Sequence, residues 1–304
     1  MLLSALYAAG CGVVNRAGIK LYYKPAPIAA ERVVRDITYV DGSTDPRHRL
    51  NFFKPALPSV ASAKEGFPVV VFIHGGNWDS GDKDYRFGGQ DIYNNIGRFL
   101  ASRAIGCAVI SYRLIPAVDW RAQAADAARA VAWVHKHAAD FGGDPQRLFV
   151  MGHSAGAQLA VRTVLDHQTL ERLGVPPAAI RGVIGVAGAG YDMADRRTQE
   201  LGADPAWYAK RFRLGPGDTD WQRAASPIQF VHGQAPPALL LHAGGESPAL
   251  KRQSELLRDA LTRAGARADL VVAPGLSHTR IVPTLSREDR PAGAAVLAFI
   301  RQHS

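Results

Sequence analysis

The sequence predicts a three-layer α/β protein, with a mostly parallel, twisted sheet of about eight strands and helices on both faces. Three observations predict it. Residues 32–40 and 48–53 alternate in polarity and read as an opening hairpin. The run Val69-Val70-Val71-Phe72-Ile73 is apolar throughout, as in a strand buried on both faces. From there to the end, short β-branched runs alternate with longer helical patterns, the signature of βαβ units.

Each element follows in order. Asp41-Gly42-Ser43-Thr44-Asp45-Pro46 supplies turn chemistry between the two opening strands. After the apolar strand, residues 91–103 read as a helix and 107–112 as a strand. The alanine-rich segment 119–140 reads as a helix that stops at Phe141-Gly142-Gly143-Asp144-Pro145. A strand at 147–151, a helix at 154–167 and a strand at 180–187 come next. The alternation resumes with a strand at 238–242, a helix at 248–264, a strand at 268–273 and a last helix at 290–302. The largest interruption, residues 188–235, is broken by Gly188, Gly190, Gly202, Gly215, Pro216 and Gly217. It is expected to form a small cap over the carboxyl ends of the strands. Without repeats or linker-like tracts, residues 31–304 read as one domain, and residues 1–30 as a signal-like or helical segment ahead of it.

Composition narrows the classes of function. The 304 residues are 47% hydrophobic and 21% charged, which suits a globular protein. The 36 Lys and Arg against 27 Asp and Glu leave a formal charge of +9, but the basic residues are scattered, so no nucleic-acid partner is expected. Cys11 and Cys107 alone exclude a disulfide framework. No His/Cys cluster has ligand spacing, so no metal and no organic cofactor is expected. No apolar run reaches roughly 18 residues, so no transmembrane helix is expected. Met1 to Cys11 resembles the end of a bacterial lipoprotein signal, although it lacks a basic start and its apolar part is short. Two readings stand open: export with membrane anchoring through lipidated Cys11, or a plain N-terminal helix of a cytoplasmic protein. Oligomeric state is not legible.

The chemistry concentrates at the ends of strands. Gly152-His153-Ser154-Ala155-Gly156 fits G-x-S-x-G, preceded by the buried strand Leu148-Phe149-Val150-Met151 and followed by a helix. Glycines permit a sharp turn that lifts the Ser154 hydroxyl above the sheet at a helix N-terminus. His74-Gly75-Gly76-Asn77-Trp78 directly follows the third strand. The N–H of Gly75 or Gly76, with that of Ala155, would bind an oxyanion.

A serine hydroxyl needs a base. Among ten histidines, His153 adjoins the nucleophile and is expected to point elsewhere. His74 belongs to the oxyanion loop, and His135 and His137 sit in an outer helix. His278, in Pro274-Gly275-Leu276-Ser277-His278, falls just beyond the last strand at the carboxyl edge of the sheet. It is the expected base, ahead of His232 and His242. The acid is expected on the turn after the preceding strand, where Ala243-Gly244-Gly245-Glu246 ends. Asp269, Asp259 and Glu255 would each need a displaced backbone. Asn77, Trp78 and Tyr85 are candidates for the substrate pocket, and Trp207, Tyr208 and Phe212 could join them or pack within the cap.

Several motifs agree in order: HGGNW, SGDKDY at 80–85, SYRL at 111–114, FGGDPQRLFVMGHSAG at 141–156 and ESPALKRQS at 246–254. Together they resemble the carboxylesterases of the hormone-sensitive-lipase and kynurenine-formamidase-like branch of the α/β-hydrolases, over roughly residues 32–300. The resemblance implies the α/β-hydrolase fold, with Ser154, Glu246 and His278 as catalytic residues and Gly75, Gly76 and Ala155 as the oxyanion hole. Many members carry Asp where Glu246 stands and an acidic residue where Ala249 stands.

The implied reaction is two-step acyl transfer to and from Ser154 on a small ester, with short acyl groups favoured by a small cap. Within the branch the alternatives are an arylformamidase and a deacetylase or feruloyl-type esterase of plant polysaccharides. Outside enzymology, the alternative is a non-catalytic, surface-anchored binding protein on the same fold.

Overall fold

Alternation along the strands decides which side chains enter which half of the core. In β3 (Phe67–Ile73), Val69, Val71 and Ile73 point to one apolar cluster and Val70 and Phe72 to another. The sheet is therefore sandwiched between two cores. The computed structural model describes residue 19, residues 21–56 and residues 66–304. Cys11, and with it the lipidation site considered above, lies outside them.

The hairpin is β1 (Val33–Thr38) and β2 (Arg49–Phe53), and β4 (Arg86–Phe87) with β5 (Gln90–Asp91) makes a separate small ribbon. The remaining strands are β6 (Gly106–Ile110), β7 (Gly143–His153), β8 (Ile180–Val186), β9 (Ala238–Ala243) and β10 (Ala268–Ala273). The main sheet has eight strands in the order β1-β2-β6-β3-β7-β8-β9-β10. β2 is antiparallel to β1 and β6, and every later neighbour is parallel. This is the layering expected from the sequence, and it puts β3 and β7, the strands that end in the two glycine-rich motifs, side by side in the middle.

Helices α1 (Ile92–Ala101), α2 (Trp120–His137), α3 (Ala155–Leu165) and α4 (His167–Arg172) alternate with the first parallel strands. Asp119 caps α2 by accepting the Ala122 N–H at 2.9 Å. Residues 188–235 hold three short helices, α5 (Arg196–Glu200), α6 (Pro205–Phe212) and α7 (Trp221–Ala225). The chain closes with α8 (Pro248–Arg263), α9 (Ile281–Thr284) and α10 (Pro291–His303). Val131, Val161 and Leu257 from α2, α3 and α8 cover one face, and Phe99 and Phe299 from α1 and α10 the other. No described helix is long and apolar enough to cross a membrane.

The structure departs from the expected boundaries in three places. β7 begins at Gly143 rather than 147, because Phe67 pairs with Gly143 and keeps the Asp144-Pro145 stretch extended. The helix expected over 154–167 breaks after Leu165, and α4 starts anew. The short α9 was not expected, because Pro283 sits inside it. Ile19 and residues 21–28 lie against the body of the protein. Ile19 is buried, the Ala26 N–H donates to Asn95 Oδ1 at 2.9 Å, and the Asn95 amide donates to the Lys24 carbonyl at 2.8 Å.

Candidate active site

β7 turns into α3 through Ser154, whose backbone has φ 54° and ψ −120°. A residue with a side chain rarely adopts that conformation, which marks a strained bend. The flanking glycines make it sterically possible. A Cβ on Gly152 would lie 2.0 Å from the Gly156 carbonyl oxygen, and one on Gly156 would lie 2.2 Å from that of Ile73. The Ser154 N–H is tied to the Val186 carbonyl on β8 at 2.9 Å. Its hydroxyl is thus held at the start of α3, above the ends of the central strands.

His278 reaches this serine from the loop after β10. Its Nε2 lies 2.9 Å from Ser154 Oγ and its Nδ1 lies 2.5 Å from Glu246 Oε1. The second Glu246 oxygen accepts the Ala243 N–H at 3.0 Å, inside a fully buried side chain. With Nδ1–H donating to the carboxylate, Nε2 presents its lone pair to the hydroxyl. The two loops meet backbone to backbone. The Gly244 N–H donates to the Ala273 carbonyl and the Gly245 N–H to that of Leu276, both at 2.8 Å. A Cβ on Gly245 would stand 2.8 Å from the Leu276 oxygen, so glycine is what lets the Glu246 turn lie against the His278 loop.

The competing residues are elsewhere. Asp259 pairs with Arg258 at 2.5 Å and Asp269 with Arg267 at 3.6 Å, while Glu255 is exposed on α8. The His242 ring bonds its neighbour's carbonyl at 3.2 Å, and His232 packs beside His167.

On the other side of Ser154, the two glycines of the HGGNW loop divide their roles. A Cβ on Gly75 would fall 2.7 Å from His153 Nδ1 and 3.2 Å from the Ser154 Cβ, so Gly75 gives the loop its close approach. Its N–H, however, donates to the Tyr93 hydroxyl at 3.2 Å. That corrects the expectation that either glycine could serve as donor, and leaves Gly76 and Ala155 as the candidates.

Tyr93 and His153 extend this contact across the site. The Tyr93 hydroxyl donates to His153 Nδ1 at 3.3 Å, and His153 Nε2–H donates to the His278 carbonyl at 3.2 Å. The HGGNW loop and the His278 loop are therefore joined through two side chains. Sequence reasoning set His153 aside as pointing elsewhere. In fact its ring lies 5.1 Å from that of His278, centre to centre. Tyr93 carried no signal, since an aromatic in the first turn of a helix reads as ordinary core. Burial, reinforced by the charge of His278, pushes His153 down to about 3, and burial pushes His74 to about 4, from an ordinary 6.5. Both rings are neutral in neutral solution.

A cavity of about 510 Å³ opens over Ser154 and His278. Its walls come from the loop after β3, from Ile19 and Tyr22, and from Thr279, Arg280, Val282 and Pro283. Asn77 and Tyr85 line it, but Trp78 does not. Trp78 is 1% exposed, meets the edge of Phe212 at 4.9 Å and donates from Nε1 to Gln158 at 3.1 Å. Trp207, Tyr208 and Phe212 likewise pack around Trp78 and not around the cavity. No residue of 188–235 lines the cavity, so the short helices do not set its size. Their packing face is turned toward the back of the HGGNW loop. Among the described residues no group of three or more His, Cys, Asp or Glu could hold a metal ion.

The chain is similar to several known proteins. The isoprenylcysteine alpha-carbonyl methylesterase ICME of Arabidopsis thaliana is 30% identical over 263 residues, covering 82% of this chain and 57% of that protein. The chain thus spans little more than half the length of that relative. The carboxylesterase NlhH of Mycobacterium tuberculosis is 27% identical over 292 residues, 90% of this chain and 83% of that one. Esterase B from Lactobacillus rhamnosis, solved with a tributyrin phosphonate inhibitor, superposes with a TM-score of 0.72 at 22% identity over 99% of this chain and 94% of that chain. It shares the fold, which is that of the α/β-hydrolases. A family match covers residues 56–261, from ahead of β3 into the last turn of α8, and so takes in both glycine-rich motifs and Glu246. On that match, which runs over more than half of the sequence, the chain belongs to the BD-FAE family.

Proposed function

We propose that this protein is a serine carboxylesterase that hydrolyses short-acyl esters of small molecules through an acyl-enzyme. The observation that carries the reading is the unbroken line of hydrogen bonds from Glu246 through His278 to Ser154, set on a strained turn. Ser154 Oγ attacks the ester carbonyl while His278 Nε2 takes its proton, and the buried Glu246 carboxylate stabilises the imidazolium that forms. The N–H groups of Gly76 and Ala155 receive the developing oxyanion, each worth roughly a hundred- to a thousandfold in rate. His278 then protonates the leaving alcohol. Water repeats the sequence on the acyl-enzyme.

The esterase names of the relatives favour an ester over an aryl formamide as substrate. Because both arms of the ester share one cavity of about 510 Å³, acyl groups from acetyl to butyryl are favoured. Residues 188–235 support the oxyanion loop from behind instead of closing over the substrate.

The test is turnover of p-nitrophenyl acetate together with labelling by a fluorophosphonate. Ser154→Ala lowers kcat by on the order of 10⁴-fold or more without changing the melting curve, and it loses the covalent label that the native protein takes on Ser154. A folded Ser154→Ala that keeps its turnover overturns the mechanism. Rates that keep rising past the octanoyl ester overturn the short-acyl part alone.

A further inference from the structure

We propose that Arg280 forms an anion subsite of the cavity and selects esters that carry a carboxylate at a distance from the bond being cleaved. The inference rests on the esterase reading above and names the substrate class of that same site.

Arg280 lies two residues after His278, at the N-terminal end of α9, and is one of the residues that line the cavity. Among the described residues, it is the one permanently charged residue that lines the cavity. Three carboxylates of the loops around Ser154 are already engaged. Glu246 is held by His278, Asp79 by Arg211 at 2.5 Å and Asp82 by Arg47 at 3.2 Å. Among the described residues, no acidic side chain and no hydrogen-bond acceptor meets the Arg280 guanidinium. It lies over the face of Tyr22, 5.6 Å from the ring centre. An aromatic face orients a guanidinium without neutralising it. The group therefore offers its planar fork of N–H donors to the cavity, which suits a carboxylate bound through both oxygens.

The rest of the wall fits the same ligand. Tyr22, Phe87, Ile92 and Val282 are apolar or aromatic, so an uncharged body would lie along them and end at the cation. The partly enclosed setting strengthens the attraction compared with bulk water. A neutral ester gains nothing from Arg280 and leaves its charge to solvent.

The experiment compares two matched pairs of esters. One pair, 4-acetoxybenzoate and phenyl acetate, places the charge on the alcohol arm. The other, the phenyl monoester of glutaric acid and phenyl butyrate, places it on the acyl arm. For at least one pair the native protein shows a higher kcat/KM on the anionic member. In Arg280→Gln that anionic-to-neutral ratio falls about ten- to a hundredfold, the range expected for losing a charge-assisted hydrogen bond. The pair that responds tells which arm faces Arg280. Raising the ionic strength of the native protein lowers the same ratio, a reading independent of whether the variant folds. Ratios near one for both pairs, or ratios that Arg280→Gln and salt leave unchanged, overturn the proposal while the esterase reading stands. If no ester is turned over, calorimetric binding of the same four compounds to Ser154→Ala decides. Tighter binding of an anionic member, lost when Arg280→Gln is added, supports the subsite, and equal binding of both members of each pair refutes it.

Discussion

Residues 74–93 and residues 188–235 both begin at the carboxyl ends of central strands, and both are irregular and rich in glycine. They end up in opposite positions. The first supplies much of the cavity wall, from Gly75 and Gly76 through Asn77 and Tyr85 to Tyr93, and joins the His278 loop through Tyr93 and His153. The second supplies none of that wall. Its helix α6 closes over Trp78, and Arg211 on that helix bonds the Asn77 carbonyl at 3.2 Å and Asp79 at 2.5 Å. A long insertion beside an active site is thus no measure of its share in the site. What matters is which side of the strand ends it packs against.

The comparison can be broken most forcefully at Trp78, where the two stretches meet. Trp78→Ala removes a ring that is 1% exposed and packed on Phe212, which costs about 3–5 kcal/mol of stability and lowers the melting temperature accordingly. A stable variant with altered chain-length preference would instead mean that Trp78 belongs to the cavity.

Acid sharpens the contrast. His74 and His153, on the active-site side, are held at about 4 and about 3 in the folded protein against an ordinary 6.5. The unfolded chain therefore binds protons that the folded protein refuses. Stability from these two rings is complete above about pH 6.5 and is lost as pH falls, toward 4 for His74 and toward 3 for His153. The melting temperature should drop through that window, and His153→Asn should drop less steeply over the same range. Parallel pH curves for the two proteins would show that His153 titrates normally.

A smaller effect separates positioning from chemistry. Tyr93→Phe keeps the ring but deletes the hydroxyl between the Gly75 N–H and His153. A fall in kcat of about tenfold with little change in KM is expected, the size of one lost hydrogen bond. A rise in KM alone would place Tyr93 in substrate binding only.

Much of the fold was legible because its signals are local. A buried parallel strand needs apolar residues in unbroken succession, as in Val69 to Ile73, and the alanine-rich helix has its stop signal in Gly142, Gly143 and Pro145. The residues proposed for catalysis were legible for a related reason. Each follows a strand end marked by glycines, and at Gly152, Gly156 and Gly245 a Cβ would collide with a neighbouring carbonyl oxygen. The exact ends of β7 and α3 were not legible, since pairing with Phe67 and the packing of α4 decide them.

The sequence by itself determined the βαβ order, the elbow at Ser154 and the order of Glu246 and His278 along the chain, because backbone sterics and side-chain periodicity act over a few residues. Only the tertiary structure decided that Gly75 spends its N–H on Tyr93, that His153 bridges to the His278 carbonyl, that Trp78 faces the core, and that Tyr22 and Arg280 meet in the cavity wall. Those contacts join residues tens to hundreds of positions apart. Their partners are chosen by how helices and loops pack on the two faces of the sheet, and no short stretch of sequence carries that information.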